Sequence, residues 1–342
     1  MNYGRTSLRR RAKQLDARGT RIRHKIGVIL GKLLLIGIIV GGCATVSFGV
    51  GAFKGILASA PDISEVDVIP TGYSTKVLAA DGSETAKLVA AGSNRQYVTI
   101  DQIPENLQHA VVAIEDERFY DHNGIDLKGI VRALVADVRT RDFSQGASTL
   151  TQQLIKNNVL SEQWANENDS NISKMEKMER QVQRKIQEQY LAIELEKKVN
   201  DKNWILENYL NSINLGSNTL GVQAAAQRYF GKDVSKLTLS ECAVIAGITK
   251  NPAGYNPILH PKENAKRRKN VLDAMKKQGY ISQKQYDKAM ADDVYGRISE
   301  HNDVREETMN TYFVDAVIDD VFDDLVNICL LYTSPSPRDY AA

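Results

Sequence analysis

Residues 33–53 form a segment without a charged side chain, and this segment constrains the chain more than any other feature. It is rich in Leu, Ile, Val and Gly, and Lys32 and Lys54 bracket it. A helix of about 20 apolar residues spans the hydrocarbon core of a bilayer. The sequence therefore predicts one transmembrane anchor at residues 33–53.

The charges around this segment predict its orientation. Residues 1–25 contain nine Lys or Arg and a single acid, Asp16. Basic residues that flank a transmembrane helix stay on the cytoplasmic side. We therefore expect residues 1–32 to be a basic cytoplasmic tail. The chain after Lys54 is then extracytoplasmic, as in a single-pass protein of the cell membrane.

Two other interpretations of the apolar segment compete with an anchor. A cleaved secretory signal usually has a shorter basic region and a shorter apolar core. Residues 40–43, Val-Gly-Gly-Cys, resemble a lipoprotein cleavage site, but the apolar run continues ten residues past Cys43. Both observations favour an anchor that is not cleaved.

The remaining composition argues against several classes of function. The formal net charge of +2, from 44 basic and 42 acidic residues, gives no reason to expect nucleic-acid binding. Three cysteines are too few for a disulfide framework, and we expect them to be small buried residues. No Cys/His cluster has the spacing of a zinc site.

The rest of the chain divides into a stalk, a helical domain and a terminal region. Residues 54–73 contain two prolines and predict an irregular stalk. The Asp81-Gly82 pair lies between two short β-prone runs, which is typical of a hairpin. Further on, apolar residues recur three and four positions apart, as in helices. We therefore expect residues 74–295 to form a mainly α domain with a small β-hairpin.

The composition changes twice after this domain. Residues 296–327 are acidic and amphipathic, and they predict a helical, linker-like segment. Residues 328–342 contain Pro-Ser-Pro, through which a helix cannot continue. We expect this tail not to be native to the fold.

The first segment with chemical potential is a cluster of acids at residues 115–124, directly after the apolar run 110–114. A carboxylate at the end of a packed element is partly desolvated, which suits general acid–base work. The alternative is a solvated acidic helix end with His122 as a cap, and the cluster by itself favours that alternative.

The second segment, residues 146–157, reads Gly-Ala-Ser-Thr-Leu-Thr-Gln-Gln-Leu-Ile-Lys-Asn. Thr149 and Gln152 have the spacing of a capping box, which predicts that a helix starts here. Free N–H groups at a helix start favour anions, and Lys156 lies one turn beyond Gln152. A phosphate fits between the helix start and Lys156, but by itself the segment indicates an ordinary capped helix with a polar face.

The third and fourth segments add charge and packing. Arg184 and Glu188 lie one helical turn apart above an apolar stripe, which suggests the rim of a cleft, although an exposed ion pair is the alternative. Residues 204–232 are mostly packing, with Tyr229 and Phe230 in the core. Asn211 and Arg228 are candidates for supporting groups behind a site.

In this order the four segments resemble the family 51 glycosyltransferases, which comprise the glycan-polymerising domains of class A penicillin-binding proteins and the monofunctional transglycosylases. The first resembles E-D-x-x-F-x-x-H-x-G and the second G-x-S-T-x-T-Q-Q-x-x-K-N. The third resembles R-K-x-x-E-x-x-x-A-x-x-L-E and the fourth I-L-E-x-Y-L-N. Four motifs in register behind an anchor are far more specific than one. The resemblance covers residues 74–295, with a polar surface insertion at 165–178.

The resemblance implies a lysozyme-like, mostly α-helical domain whose cleft lies partly in the membrane. It implies lipid II, an undecaprenyl-pyrophosphoryl disaccharide-peptide, as acceptor and the growing glycan strand as donor. The acceptor attacks through its sugar 4-hydroxyl, and the β-1,4 product requires inversion at the donor anomeric centre. Other proteins of cell-wall synthesis or division are the expected partners.

The resemblance also implies roles for single residues. Glu115 is expected to be the base for the acceptor hydroxyl, and Glu188 the second catalytic carboxylate. Lys156 and Arg184 are expected to clamp the leaving pyrophosphate, where fixed cations help most. The other substrate-binding residues that we expect are Asp116, Phe119, His122, Ser148, Thr149, Gln152, Gln153, Asn157 and Lys185. We expect no obligatory cofactor and no required metal; a divalent cation (Mg or Mn) that Glu188 orients is the alternative.

Class A penicillin-binding proteins carry a second, transpeptidase domain with S-x-x-K, S-x-N and K-T-G motifs. This sequence contains no S-x-x-K and no K-T-G. We expect the front half of such a bifunctional enzyme, with a monofunctional enzyme as the second interpretation.

Two other functions compete with polymerisation. A lysozyme-like hydrolase or lytic transglycosylase shares a helical fold and a catalytic glutamate, but it has little need of cations such as Lys156 and Arg184. A scaffold with an inactive site has no need of the intact carboxylates and the Gln-Gln pair. The sequence favours the polymerase.

Overall fold

The computed structural model describes residues 4–15, 18–63, 68–70, 75–78, 80–82, 84–88, 95–140, 148–161, 163–164, 172–217 and 219–303. The chain divides into two units, Met1–Ala60 and Pro61–Ala342, and each is described by itself. Parts of the expected stalk and insertion, and everything beyond residue 303, lie outside the described residues.

The first unit consists of α1 (Arg5–Leu15) and α2 (Arg18–Ala58). Within the described ranges, His24–Ala58 is the one stretch long and apolar enough to cross a membrane, and an 18-residue window in it has a mean hydropathy of 2.4. The predicted anchor at 33–53 lies inside α2, but the helix continues past both bracketing lysines, since a lysine does not end a helix. Cys43 is exposed on α2, so the expectation that it is buried was wrong.

The second unit begins with the predicted hairpin. Strands β1 (Thr75–Leu78) and β2 (Glu84–Leu88) pair antiparallel, with a register shift between Val77 and Leu78. Gly82 lies in the turn with φ +83°, a conformation that glycine adopts without steric cost. The Asp81-Gly82 pair therefore marks the hairpin correctly.

The remainder of the described unit is helical. Its helices are α3 (Glu105–Glu115), α4 (Leu127–Thr140), α5 (Leu150–Asn158), α6 (Lys174–Val199), α7 (Lys202–Ser212), α8 (Val222–Phe230), α9 (Leu239–Ile248), α10 (Pro261–Lys277), α11 (Gln283–Ala291) and α12 (Val294–Asp303). Short 3-10 turns lie at Ile100–Gln102 and Val234–Lys236. The predicted domain end at residue 295 falls inside α12, which packs against α8.

Helix α9 is the centre of one half of this unit. Residues 240–248 are all buried, and α3 and α10 pack against the helix. A short helix that is apolar on every side is stable only when it is surrounded. The C-terminal ends of α3 and α9 both carry polar residues, Glu115 and Thr249, that contact each other.

Helix α5 is the centre of the other half, where it packs against α6 and α7. Leu150, Leu154, Leu191 and Tyr209 are fully buried in this layer. Tyr229 and Phe230 are also buried, as the sequence predicts. The two halves bring the ends of α3 and α9 to the exposed face of α5.

Glu241 has no exposed side-chain surface, yet its carboxylate contacts two cationic side chains. Its Oε1 lies 2.7 Å from Lys232 Nζ and 3.4 Å from Arg297 Nη2. Burial raises the pKa of Glu241. The hydrogen bonds from Lys232 and from the backbone N–H of Thr238 lower it by more than burial raises it, so the pKa lies below the ordinary value. The charged form of Glu241 is therefore favoured in the folded state.

We expect Glu241 to stabilise the fold at neutral pH and to lose that effect in acid. A depressed carboxyl pKa contributes stability above the unfolded value of 4.5, and the contribution disappears as pH falls through the folded pKa. Melting curves of the wild type and Glu241→Gln from pH 7 to pH 3 test this. The difference in Tm between the wild type and the variant is expected to become smaller in acid. A difference that stays constant with pH contradicts a stabilising role for the charge of Glu241.

Candidate active site

Glu115 is the last residue of α3 and lies at the rim of a cleft, with its side chain 13% exposed. Its Oε1 accepts a hydrogen bond from Thr249 Oγ1 at 2.7 Å, and Arg267 Nη2 lies 3.5 Å from the same oxygen. Its Oε2 accepts from Gln153 Nε2 at 3.2 Å. The carboxylate is thus held by three donors from three different parts of the chain.

A buried tyrosine orients Gln153. Tyr209 Oη donates to Gln153 Oε1 at 3.1 Å. Burial raises the pKa of Tyr209 well above its ordinary value, and the charges of Glu115 and Asp116 raise it further. The hydroxyl therefore stays protonated, and the amide of Gln153 is turned with its N–H groups toward Glu115.

Asp116 and His122 point into the protein rather than into the cleft. His122 Nε2 lies 3.0 Å from both carboxylate oxygens of Asp116, and the two side chains are 8% and 3% exposed, respectively. Asp116 Oδ2 also accepts from the backbone N–H of Leu150 at 3.0 Å. The pair joins the end of α3 to the start of α5, which is a positioning role rather than a contact with a ligand.

Phe119 is fully buried in the same loop. Lys202 Nζ lies 4.6 Å from its ring centroid and donates to the carbonyl of His122 at 2.6 Å. Lys202 also pairs with Glu196 at 2.8 Å. The first motif therefore supplies one cleft residue, Glu115, and its other members shape the loop behind it.

Gly124 brings this loop against α6. Its φ is +85°, and a Cβ placed there would lie 2.6 Å from the carbonyl oxygen of Ala192. Its own carbonyl accepts from Thr149 Oγ1 at 2.8 Å and from Gln152 Nε2 at 3.2 Å. The glycine thus allows the loop to contact both α5 and α6.

Thr149 caps α5, as the sequence predicts, but half of the expected capping box is absent. Thr149 Oγ1 accepts from the backbone N–H of Gln152 at 3.2 Å. The side chain of Gln152 does not bond to the cap. Gln152 is 1% exposed, and its amide donates to the carbonyl of Gly124 and accepts from Lys185 Nζ. Thr149 itself is buried and does not line the cleft.

Helix α6 supplies a cation pair around one carboxylate. Glu188 is 3% exposed; Arg184 Nη1 bonds to its Oε1, and Lys185 Nζ lies 3.0 Å from its Oε2. Lys185 Nζ also donates to Ser148 Oγ at 2.7 Å and to Gln152 Oε1 at 2.9 Å. The charged groups of α6 are therefore fixed in place by their own partners.

These groups surround a cleft of about 840 Å³. The lining residues are Ile114, Glu115, Ser148, Gln152, Gln153, Lys156, Asn157, Arg184, Lys185, Glu188, Thr249, Lys250 and Arg267. Five of them are cationic and two are acidic, which leaves a formal excess of three positive charges. A cleft of this charge favours an anionic ligand.

Lys156 and Lys250 are the lining cations whose charge no described carboxylate neutralises. Both are exposed, and neither has a hydrogen-bond or salt-bridge partner within the part of the chain that the structure describes. By contrast, Arg184, Lys185 and Arg267 all lie beside a carboxylate. An incoming anion would therefore meet Lys156 and Lys250 without breaking an existing ion pair.

A second cleft of about 530 Å³ adjoins the first and shares Lys156, Asn157 and Arg184 with it. It is further lined by polar and aromatic residues such as Arg95, Trp164 and Asn214. Its residues include no carboxylate. The shared residues thus form a wall between two concave surfaces, both of which suit polar or anionic groups.

Sequence reasoning missed three polar lining residues, Thr249, Lys250 and Arg267. Thr249 and Lys250 lie at the C-terminal end of an apolar helix, as Glu115 lies at the end of α3, and that parallel was the available signal. Arg267 lies among basic residues on α10, and the sequence does not distinguish it from its neighbours. Asn211, expected behind the site, instead clamps the backbone of Val98, accepting from its N–H at 3.0 Å and donating to its carbonyl at 2.8 Å.

The donor set at Glu188 does not suit a metal ion. Both of its oxygens are bonded to cations, and no group of three or more His, Cys, Asp or Glu side chains with metal-site geometry lies among the described residues. A divalent cation prefers several oxygen ligands.

Comparison with known proteins places these residues in context. The family model described as Transglycosylase matches residues 81–276. The chain is 38% identical over 274 residues to penicillin-binding protein 1A of Clostridium novyi (strain NT), covering 78% of this chain and 30% of that protein. It is 39% identical over 258 residues to penicillin-binding protein 1A/1B of Bacillus subtilis (strain 168), and the match covers 75% of this chain and 25% of that protein.

A third relative is penicillin-binding protein 1A of Aquifex aeolicus (strain VF5), 46% identical over 196 residues, or 57% of this chain and 25% of that protein. The chain spans about a quarter to a third of the length of these curated relatives. A crystal structure of penicillin-binding protein 1A from Haemophilus influenzae matches 66% of this chain and 21% of that chain, with 25% identity and a TM-score of 0.35.

Proposed function

Because this chain belongs to the transglycosylase family, the family 51 glycosyltransferases, we propose that it polymerises lipid II into β-1,4-linked glycan strands for the bacterial cell wall. The donor is a strand on undecaprenyl pyrophosphate, and the anomeric centre inverts. One observation carries the proposal: a desolvated carboxylate, Glu115, faces a cleft with three excess positive charges. Such a site suits a reaction that deprotonates a hydroxyl and releases a diphosphate.

Glu115 is the base in this proposal. Three hydrogen-bond donors hold its carboxylate in one orientation at the cleft rim. Arg267 and the other cations place positive charge around the carboxylate, which takes the proton from the acceptor 4-hydroxyl in this proposal. Attack of that oxygen on the donor anomeric carbon then breaks the bond to the pyrophosphate.

The leaving pyrophosphate meets Lys156 and Lys250, because these are the lining cations without a partner among the residues that the structure describes. Arg184 was expected to share the clamp, but its guanidinium is bonded to Glu188. Fixed positive charge near developing negative charge lowers a reaction barrier more than mobile water does. We therefore propose that Lys156 contacts the pyrophosphate directly. Arg184, Lys185 and Glu188 form a cluster of ion pairs beside it.

The two clefts support a reaction that joins two large substrates. Lys156 and Arg184 line both clefts. A donor diphosphate bound at these two residues can therefore have its glycan in one cleft and the acceptor in the other. Helix α2 supports attachment to a membrane, which is where a substrate with an undecaprenyl tail resides. We propose a cytoplasmic N-terminus and an extracytoplasmic catalytic unit, with other wall-synthesis or division proteins as partners.

Polymerisation of fluorescent lipid II by the detergent-solubilised full chain tests the proposal. The expected product is a ladder of long strands on a gel, which a muramidase digests because the new bonds are β-1,4. A folded chain that yields no ladder contradicts the proposal. Shortening of preformed glycan strands would instead identify a hydrolase.

The Lys156→Met variant is expected to lower kcat/KM for lipid II by about 100-fold, the scale of one lost electrostatic group at a charged transition state. Methionine keeps the length and apolar stem of lysine but removes its charge. Initial rates of ladder formation at several lipid II concentrations measure the effect. The matched control is Lys284→Met, an exposed lysine on α11 that lines neither cleft, and equal rates for the two variants contradict the role of Lys156.

A further inference from the structure

We propose that Thr249 is the positioning residue that holds Glu115 for proton transfer and adapts to its change of charge. The inference rests on the proposed function, since it concerns the base of that reaction. It assigns a role to a residue outside the four sequence motifs. Thr249 follows the last residue of α9 and lies on the cleft wall.

The hydroxyl of Thr249 has two acceptors within reach. Glu115 Oε1 lies 2.7 Å from Thr249 Oγ1, and the carbonyl oxygen of Ala246 lies 2.9 Å from it. A hydroxyl has one proton to donate and two lone pairs with which to accept. While Glu115 is ionised, its carboxylate is the stronger acceptor and takes the proton.

The arrangement reverses when Glu115 gains a proton from the acceptor hydroxyl. With the proton on Oε1, the Thr249 O–H can rotate to the Ala246 carbonyl, and a lone pair of Oγ1 then accepts a hydrogen bond from the Oε1–H of Glu115. No heavy atom needs to move for this change. The contact therefore remains favourable before and after proton transfer.

The other two donors to Glu115, Gln153 and Arg267, cannot adapt in this way, because a guanidinium and an amide N–H donate but do not accept. Gln153 donates to Oε2 through its amide, and Tyr209 fixes that amide because its buried hydroxyl donates to Gln153 Oε1. Gln153 thus orients the carboxylate, and Thr249 is the partner that can follow its protonation state.

The ends of two buried helices determine this contact. Thr249 follows α9 and Glu115 ends α3, and the helices pack directly on each other. Valine has nearly the shape of threonine, so Thr249→Val removes the hydroxyl with little change in packing. Serine keeps the hydroxyl, so Thr249→Ser preserves the proposed function of the side chain.

Steady-state polymerisation of fluorescent lipid II by the full chain tests the inference. Thr249→Val is expected to lower kcat about tenfold, the scale of one hydrogen bond to a charged group, with KM changed less than about threefold. Thr249→Ser is expected to keep at least about half of the wild-type kcat. Wild-type kcat in the valine variant, or a serine variant as slow as the valine variant, overturns the inference.

A matched substitution at the other end of the same helix separates positioning from folding. Thr238 caps α9, where its Oγ1 accepts from the backbone N–H of Glu241 at 3.4 Å, and it does not line the cleft of Glu115. Thr238→Val is expected to lower Tm and leave kcat per folded molecule unchanged. If Thr249→Val shows that same pattern, Thr249 is only structural. A wild-type chain without polymerase activity overturns the proposed function, and the role of Thr249 with it.

Discussion

We expect the Glu115→Gln variant to polymerise lipid II about 1,000-fold more slowly than the wild-type chain, within the range that a general base contributes. Glutamine has the shape of glutamate and can still accept from Thr249, but it cannot take a proton from the acceptor hydroxyl. The loss is therefore expected in kcat, with KM nearly unchanged. Single-turnover formation of the first new glycosidic bond measures it.

Glu117→Gln is the matched control for this experiment. Glu117 lies two residues further along, pairs with Arg132 at 2.9 Å and does not line the cleft. Its amide variant is expected to retain wild-type activity within about twofold, since loss of a partly exposed ion pair has a small effect. A Glu115→Gln variant with more than a third of wild-type activity would show that another group accepts the proton.

We expect Gly124→Ala to destabilise the fold by about 4 kcal/mol, the sum of two effects. Its φ of +85° is unfavourable for alanine, and the new Cβ would lie 2.6 Å from the backbone oxygen of Ala192, which a flexible side chain cannot relieve. A loss of this size lowers Tm by about 10 °C in a domain of this length. Thermal unfolding measures it, and the displaced loop is expected to reduce activity as well.

Gly279→Ala separates the two effects. Gly279 has nearly the same φ, +82°, but no atom lies within 4 Å of the position where its Cβ would be. Only the backbone strain remains, and we expect a loss of about 1 kcal/mol. Equal losses for the two variants would mean that the close approach of Gly124 to α6 contributes nothing.

Local features of the sequence predicted local structure well. The hairpin follows from Asp81-Gly82, and the start of α5 from Thr149, because turn and cap preferences act over a few residues. The apolar run likewise predicted a long N-terminal helix. The family resemblance was confirmed by the match over residues 81–276.

Contacts between distant parts of the chain could not be predicted in this way. Thr249 and Arg267 lie 134 and 152 residues from Glu115 in sequence, and only the packing of α3, α9 and α10 brings them together. The same limit explains why Asp116 and His122 look like site residues in the sequence. Their polar side chains form a buried hydrogen-bonded pair, and a one-dimensional pattern does not show which way a side chain points.

The capping box at the start of α5 shows how tertiary contacts override a local rule. Thr149 caps the helix as the motif predicts. In the folded chain, however, distant groups compete with the cap for the side-chain amide of Gln152. The carbonyl of Gly124 and the ammonium of Lys185 satisfy both ends of that amide, which the cap could not. Hence the local pattern located the helix start, while the fold decided the role of Gln152.

The burial of α9 has a consequence for hydrogen exchange and for the timing of catalysis. Amide groups in a helix surrounded on all sides exchange only when much of a domain opens, whereas those of surface loops exchange through small local fluctuations. Glu115 ends α3 and Thr249 follows α9, so two helices that pack on each other carry the catalytic contact. We expect these helices to open on a slower timescale than the loops around the cleft.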